Sequence, residues 1–195
     1  VGQWQEALLL LDRMSDADLA PDVISFSAAV SACEKAGRWQ EALRLLQRMK
    51  AVDLAPDVIS FSAAMSACVN GEEWDKALSL LRQMREAPGV ELRARDLEVA
   101  ILACKGSGRW EQALQLLDEI CEMGETPDVR SFSATMSACV NGEQWDKALS
   151  LLRQMREAPG VELRARDLEV AILACKGSGR WEQALQLLDE ICEMG

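Results

Sequence analysis

The chain has 195 residues, 49% of them hydrophobic and 27% charged, with 21 Lys and Arg against 32 Asp and Glu and a formal net charge of -11. That much apolar side chain excludes a disordered polymer and is enough for a continuous core. No apolar run approaches the roughly 20 residues needed to cross a bilayer, so no membrane partner is expected, and an acidic balance admits nucleic acid only where cations gather on one face.

Residues 1 to 20 read as a lone second helix that opens at Val1 with no initiator Met, signal peptide or transit segment. The expectation is a piece of something longer. From Pro21 onward one unit recurs. Trp4, Trp39, Trp74, Trp110, Trp145 and Trp181 are separated by 35, 35, 36, 35 and 36 residues, and Cys33, Cys68, Cys104, Cys139 and Cys175 keep the same beat. A fixed period of this size is the mark of a repeat architecture. The units are expected at 21–55, 56–91, 92–126, 127–162 and 163–195, with the extra residue of the longer ones absorbed near Pro88-Gly89 and Pro159-Gly160. Residues 127 to 195 also copy residues 56 to 124 with three differences: Ile59 becomes Arg130, Ala64 becomes Thr135 and Glu73 becomes Gln144.

Within a unit the period is helical. Val23, Phe26, Val30 and Cys33 fall three or four residues apart, which puts them on one face of a helix from about Val23 to Ala36. Asp22, Asp57 and Asp128 are expected as N-caps, and Gly37 as the permissive residue of the hairpin turn. A second helix carries Trp39, Ala42, Leu43, Leu46 and Met49 on one stripe, leaving Gln40, Glu41, Arg44, Gln47 and Arg48 for water. The tryptophans are expected as buried plugs at the start of each second helix. One hairpin cannot bury both of its apolar faces, whereas stacked hairpins can. The predicted fold is therefore all-α, an α-solenoid of stacked helix-turn-helix hairpins in 35- and 36-residue repeats forming a right-handed superhelix.

Seven cysteines with five at one slot per repeat would stand too far apart to bridge one another, so a reducing compartment is the simpler reading. Cys121 and Cys192 lie on second helices and are expected to be more exposed. Metal sites need converging ligands, and the chain has no His; no metal or other cofactor is expected. Without His or Tyr, no pair of proton-transfer groups stands out from the repeat background, and no phosphate-cradling P-loop is present, so the chain is read as non-enzymatic.

Pro-Asp before the first helix, Phe26 and Ser27 in its first turn, Ala-Gly at the hairpin and Glu-Ala-Leu opening the second helix resemble the pentatricopeptide repeat, and the resemblance covers the whole chain. The related tetratricopeptide repeat carries its Trp early in the first helix, whereas here Trp starts the second. The resemblance implies a single-stranded RNA partner, a chloroplast or mitochondrial setting, and a role in organelle RNA processing, stability or translation. It also implies about one nucleotide per repeat, bound in a concave groove lined by first helices and read by a few side chains of each repeat.

By that resemblance the base is chosen at the slot of Ser27 together with that of Asp57, a pair the family uses for guanine, while the slot of Ile24 wedges between bases. The corresponding pairs are Ser62 with Arg93, Glu98 with Asp128, and Ser133 with Arg164, followed by Glu169. The wedge slots are Ile24, Ile59, Arg95, Arg130 and Arg166. These positions hold five arginines against four carboxylates, so the implied groove is more basic than the chain, and Lys105 and Lys176 add to it. The arginines of the two RARD segments, 93–96 and 164–167, are equally readable as solvated charges near helix starts. The net acidity, with Glu98 and Glu169, leaves open a protein partner instead, in the manner of a tetratricopeptide-like interaction scaffold.

Overall fold

The computed structural model describes residues 2 to 194, and every element among them is an α-helix. The chain divides into two compact units, Val1–Val99 and Ala100–Gly195. The first contains α1 (Gln3–Asp16), α2 (Val23–Lys35), α3 (Trp39–Ala51), α4 (Val58–Asn70) and α5 (Trp74–Glu86), and the division falls within α6 (Ala94–Ser107). The second contains α7 (Trp110–Glu122), α8 (Val129–Asn141), α9 (Trp145–Glu157), α10 (Ala165–Gly177) and α11 (Trp181–Met194). In the first unit α2 packs on α1, α3 and α4, and α4 packs on α3 and α5; in the second α8 packs on α7, α9 and α10, and α10 packs on α9 and α11. First helices thus meet first helices, with second helices filling between them, which is the stacking of an all-α repeat solenoid.

The helix starts follow from local chemistry. Asp22, Asp57 and Asp128 accept hydrogen bonds from the backbone N–H of Ser25, Ser60 and Ser131 at 2.8, 2.8 and 2.7 Å, each satisfying a donor that the first turn leaves unpaired. Before α6 and α10 the same positions hold Arg93 and Arg164, and the cap runs in reverse. Asp96 and Asp167, three residues into the segment, accept from the backbone N–H of Arg93 and Arg164 at 3.0 Å. The carboxylate has moved from the cap to the third helical position while the hydrogen-bonded turn is kept.

The hairpin turns are of two kinds. Gly37, Gly108 and Gly179 adopt left-handed backbone with φ of 66°, 67° and 72°, as expected of glycine at a helix end. In the VNGE turns the left-handed residue is Glu72 or Glu143, with φ of 58° and 57°, and Gly71 keeps φ at -90°. Gly71 therefore answers to a different requirement. A Cβ built on it would stand 2.2 Å from Cδ1 of Trp39, and the same holds for Gly142 against Trp110; at Gly177 it would lie 2.5 Å from Cε2 of Trp145. Each indole lies against the turn of the following hairpin, where only a hydrogen fits.

That contact corrects the expected role of the tryptophans. Trp4, Trp39, Trp74, Trp110 and Trp145 are half-buried and Trp181 is 66% exposed, so none is an interior plug. The outer faces of three rings carry cations: Arg38 over Trp4 at 4.7 Å, Lys76 over Trp39 at 3.8 Å and Lys147 over Trp110 at 3.7 Å. Each ring is held between a neighbouring turn and a charge, an arrangement that adds about 0.5–1 kcal/mol per exposed cation–π pair.

The core itself is aliphatic and sulfur-rich. Phe26, Val30 and Cys33 of α2 are buried as expected, and so are Ala42, Leu46 and Met49 of α3, but Leu45 replaces Leu43 on the buried stripe. α3 is covered from two sides, by α2 and α4, so its apolar face is wider than one row of side chains. Of the three positions that differ between the copied blocks, Ile59 and Arg130 are exposed, whereas Ala64 and Thr135 are fully buried. Thr135 Oγ1 has no hydrogen-bond partner among the described residues.

All seven cysteines are free thiols; Cys33, Cys68, Cys104, Cys139 and Cys175 are buried, and Cys121 and Cys192 exposed. Burial pushes the thiols up, to about 11 at Cys68 and Cys139 and about 12 at Cys104. A raised pKa means that the folded state holds the proton more tightly than the unfolded chain. This contribution to stability is complete below the ordinary thiol value near ~8.5 and is lost as pH climbs toward 11 to 12. Titration with a thiol-specific disulfide reagent near neutral pH should label Cys121 and Cys192 promptly and the other five only on denaturation. Fast labelling of all seven in the native protein would contradict the packing.

Candidate nucleic-acid interface

The positions singled out in the sequence lie at the starts of first helices and at the loops before them. Ile24 in α2 is 76% exposed and Ile59 in α4 is 55% exposed. Arg95, Arg130 and Arg166 occupy the same position in α6, α8 and α10 and are also exposed. Large side chains at this slot thus stand in water in every copy, although two of them are isoleucines that would otherwise be interior residues.

One turn further along, the serines behave differently. Ser27 is 4% exposed, and its Oγ lies 2.7 Å from the Val23 carbonyl, 3.0 Å from Asp57 Oδ1 and 2.9 Å from Ser60 Oγ. A hydroxyl has one proton to donate, and this one is engaged inside the protein. Its effect is on the carboxylate. Asp57 accepts on Oδ1 from Ser60 N, Ser60 Oγ and Ser27 Oγ, an arrangement that fixes the carboxylate plane and leaves Oδ2 as the acceptor outside this set. Burial raises the Asp57 carboxyl, but the hydrogen bonds from Ser60 and Ser27 outweigh it and hold the group below the usual carboxylate range.

Ser62 and Arg93, a pair by slot, do meet, with Arg93 Nη2 donating to Ser62 Oγ at 3.2 Å. The stronger partner of both is Asp96, which is fully buried. Ser62 Oγ donates to Asp96 Oδ1, while Arg93 Nε and Nη2 reach Oδ2 and Oδ1 at 3.0 Å each. Arg164 grips buried Asp167 the same way, Nε and Nη2 donating at 3.1 Å. These hydrogen bonds raise the pKa of both guanidinium groups further above their ordinary value. The side chains of Arg93 and Arg164 remain 51% and 48% exposed, so each presents a cation whose orientation is set by a buried anion beneath it. Asp96 and Asp167 escaped the sequence reading as positioning residues; the signal was the exchange of an Asp…Ser spacing in three repeats for Arg…Asp in the other two.

The remaining positions are less organised. Ser133 is 9% exposed, Glu98 is half-buried and Glu169 exposed, while Asp128 is half-buried on Ser131 N. In the second unit a cavity of about 500 Å³ is lined by Thr126, Pro127, Asp128 and Val129 on one side and by Val161, Glu162 and Arg164 on the other. It brings the Asp128 and Arg164 positions to one opening. Among the described residues no three His, Cys, Asp or Glu side chains cluster as metal ligands, and no helix is long and apolar enough to cross a membrane.

In its length the chain resembles known helical-repeat structures. It aligns over 98% of its residues with the crystal structure of the pentatricopeptide repeat protein PPR10 from maize, at 26% identity and a TM-score of 0.61, spanning 27% of that chain. PPR10 in complex with an 18-nt psaJ RNA element aligns over the whole chain at 21% identity and a TM-score of 0.64, 32% of that chain being covered. The PPR domain of Arabidopsis thaliana protein-only RNase P 1 in complex with tRNA gives a TM-score of 0.73 at 15% identity, with 85% of this chain and 86% of that one covered. No curated protein sequence matches the chain. It therefore spans about a third or less of PPR10, and the likenesses at 21% and 15% identity speak to fold alone. Sequence models reach further: the pentatricopeptide repeat domain model matches residues 9–71, and the PPR repeat model matches 59–87, 99–125 and 130–158. With these matches spread over most of its length and its hairpins stacked as described, the chain belongs to the pentatricopeptide repeat family.

Proposed function

We propose that this chain binds single-stranded RNA along the starts of its first helices, at about one nucleotide per repeat, with Ile24, Ile59, Arg95, Arg130 and Arg166 between successive bases. The observation that carries the reading is the exposed row at that slot: isoleucines at 76% and 55% exposure offer apolar faces for stacking, and the arginines offer stacking together with charge. Family membership supports it, as does the complex that PPR10 forms with an 18-nt psaJ RNA element. On this reading Asp57, Asp128, Arg93 and Arg164 meet base edges, whereas Ser27, Ser62 and Ser133, with Glu98 and Glu169 at the same slot, act at or beneath that surface. Binding rather than catalysis is the proposed activity, in chloroplast or mitochondrial RNA processing, stability or translation.

Fluorescence anisotropy with short labelled RNAs across a salt series tests it. Affinity is expected to fall steeply with salt because cations on the protein displace counterions from phosphates. Replacing Arg95, Arg130 and Arg166 together by Ala should weaken binding at least tenfold and flatten the salt slope by up to about three, near one unit per lost phosphate contact. No retention of any RNA at low salt would overturn the reading. The net charge of -11 favours a basic peptide as the ligand in that event.

A further inference from the structure

Resting on the RNA-binding reading, we infer that the cavity between the loop at Thr126–Val129 and the loop at Pro159–Arg164 is a base-selective subsite that prefers cytosine. The cavity's volume of about 500 Å³ accommodates a nucleobase and its sugar, within the range of ordinary ligand pockets. Pro127, Val129 and Val161 supply apolar walls for a base face, and Asp128 and Arg164 supply its polar groups. The two are near enough for Asp128 to contribute to the raised pKa of Arg164, after the larger effect of the Asp167 hydrogen bonds.

The hydrogen-bonding capacity left over in each group selects the base. Asp128 accepts from Ser131 N on Oδ1 at 2.7 Å, which leaves Oδ2 as its outward acceptor. Arg164 commits Nε and one Nη2 proton to Asp167, so Nη1 and the second Nη2 proton form an outward edge of two parallel donors. One acceptor beside a two-donor fork complements an edge that reads donor, acceptor, acceptor. Cytosine presents that order through N4–H, N3 and O2. Uracil puts a carbonyl where Asp128 needs a donor, and guanine offers two donors with one acceptor, which mismatches the fork. Because the guanidinium is anchored by a fully buried carboxylate, its donors are held in place before a ligand arrives, which limits the entropy lost on binding.

The test measures binding of the 195-residue chain to oligoadenylates carrying a single central C, U or G. The C-containing RNA is expected to bind roughly tenfold tighter than the U-containing one, the size of one well-made bidentate base contact. Arg164→Gln should abolish that preference. Asp128→Asn, which retains a good N-cap and turns the outward acceptor into a donor, should shift preference from C toward U; thermal melts of both variants check that they fold. Equal affinity for all three RNAs would overturn the subsite while leaving RNA binding intact. A uniform loss for every RNA in Arg164→Gln, with the salt slope reduced by about one, would overturn it in favour of a phosphate contact. Failure to bind any RNA at low salt would instead defeat the broader reading on which the subsite depends.

Discussion

Gly71→Ala is expected to destabilise the protein by about 2–3 kcal/mol, the size of a forced overpacking. On backbone grounds the change should do the opposite. Gly71 sits at φ -90° at the end of α4, a conformation alanine adopts freely, and such replacements ordinarily stabilise by about 0.4–1 kcal/mol through the unfolded state. What reverses the sign is Trp39, whose Cδ1 and Nε1 would lie 2.2 and 2.9 Å from the new methyl. The indole is pinned by Lys76 on its outer face, so relief requires the ring to leave the turn and give up its packing. The decisive measurement is a double-mutant cycle by urea denaturation: with Trp39 replaced by Ala, Gly71→Ala should become neutral or stabilising. Additive effects would mean that the indole and the turn do not meet as described.

Arg93→Met should cost about 3 kcal/mol, more than its 51% exposure suggests. The reason lies under it. Asp96 is fully buried and its two oxygens accept from Arg93 N, Nε and Nη2 and from Ser62 Oγ, so removing the guanidinium strands an anion away from water. Asp96→Ala should cost less, about 2 kcal/mol, because the freed guanidinium can be hydrated where it stands. The double replacement should then cost clearly less than the two single losses added together, since neither charge is left alone. Equal or strictly additive costs, read from chemical denaturation midpoints, would show that the pair is not coupled.

These two sites also show what a single sequence can and cannot convey. Helix positions were legible because burial imposes a three-to-four-residue beat on residues such as Phe26, Val30 and Cys33, and the caps at Asp22, Asp57 and Asp128 were legible because capping is local. Gly37 was legible as a left-handed turn residue for the same reason. Gly71 looked like its equivalent, yet the left-handed position there is Glu72, and the glycine is required by a tryptophan of the preceding hairpin. A contact between hairpins leaves no local pattern. The same limit hid Leu45, buried because a third helix covers α3, and placed Ser27 at the surface when its hydroxyl is engaged with Asp57 and Ser60 of the next repeat. Arg93 and Arg164 read as surface charges because the buried aspartates that orient them are visible only once the helix start is folded.

The indole-on-glycine joint at Trp39 and Gly71 recurs at Trp110 and Gly142 with the same 2.2 Å closeness, and the flanking blocks are nearly copies of one another. To a collapsing chain the two joints are interchangeable, so an early α4 can dock where α8 belongs and make good contacts in the wrong order. Refolding from urea should therefore show a slow phase of register correction, and neighbouring molecules at high concentration can trade equivalent hairpins before either finds its own.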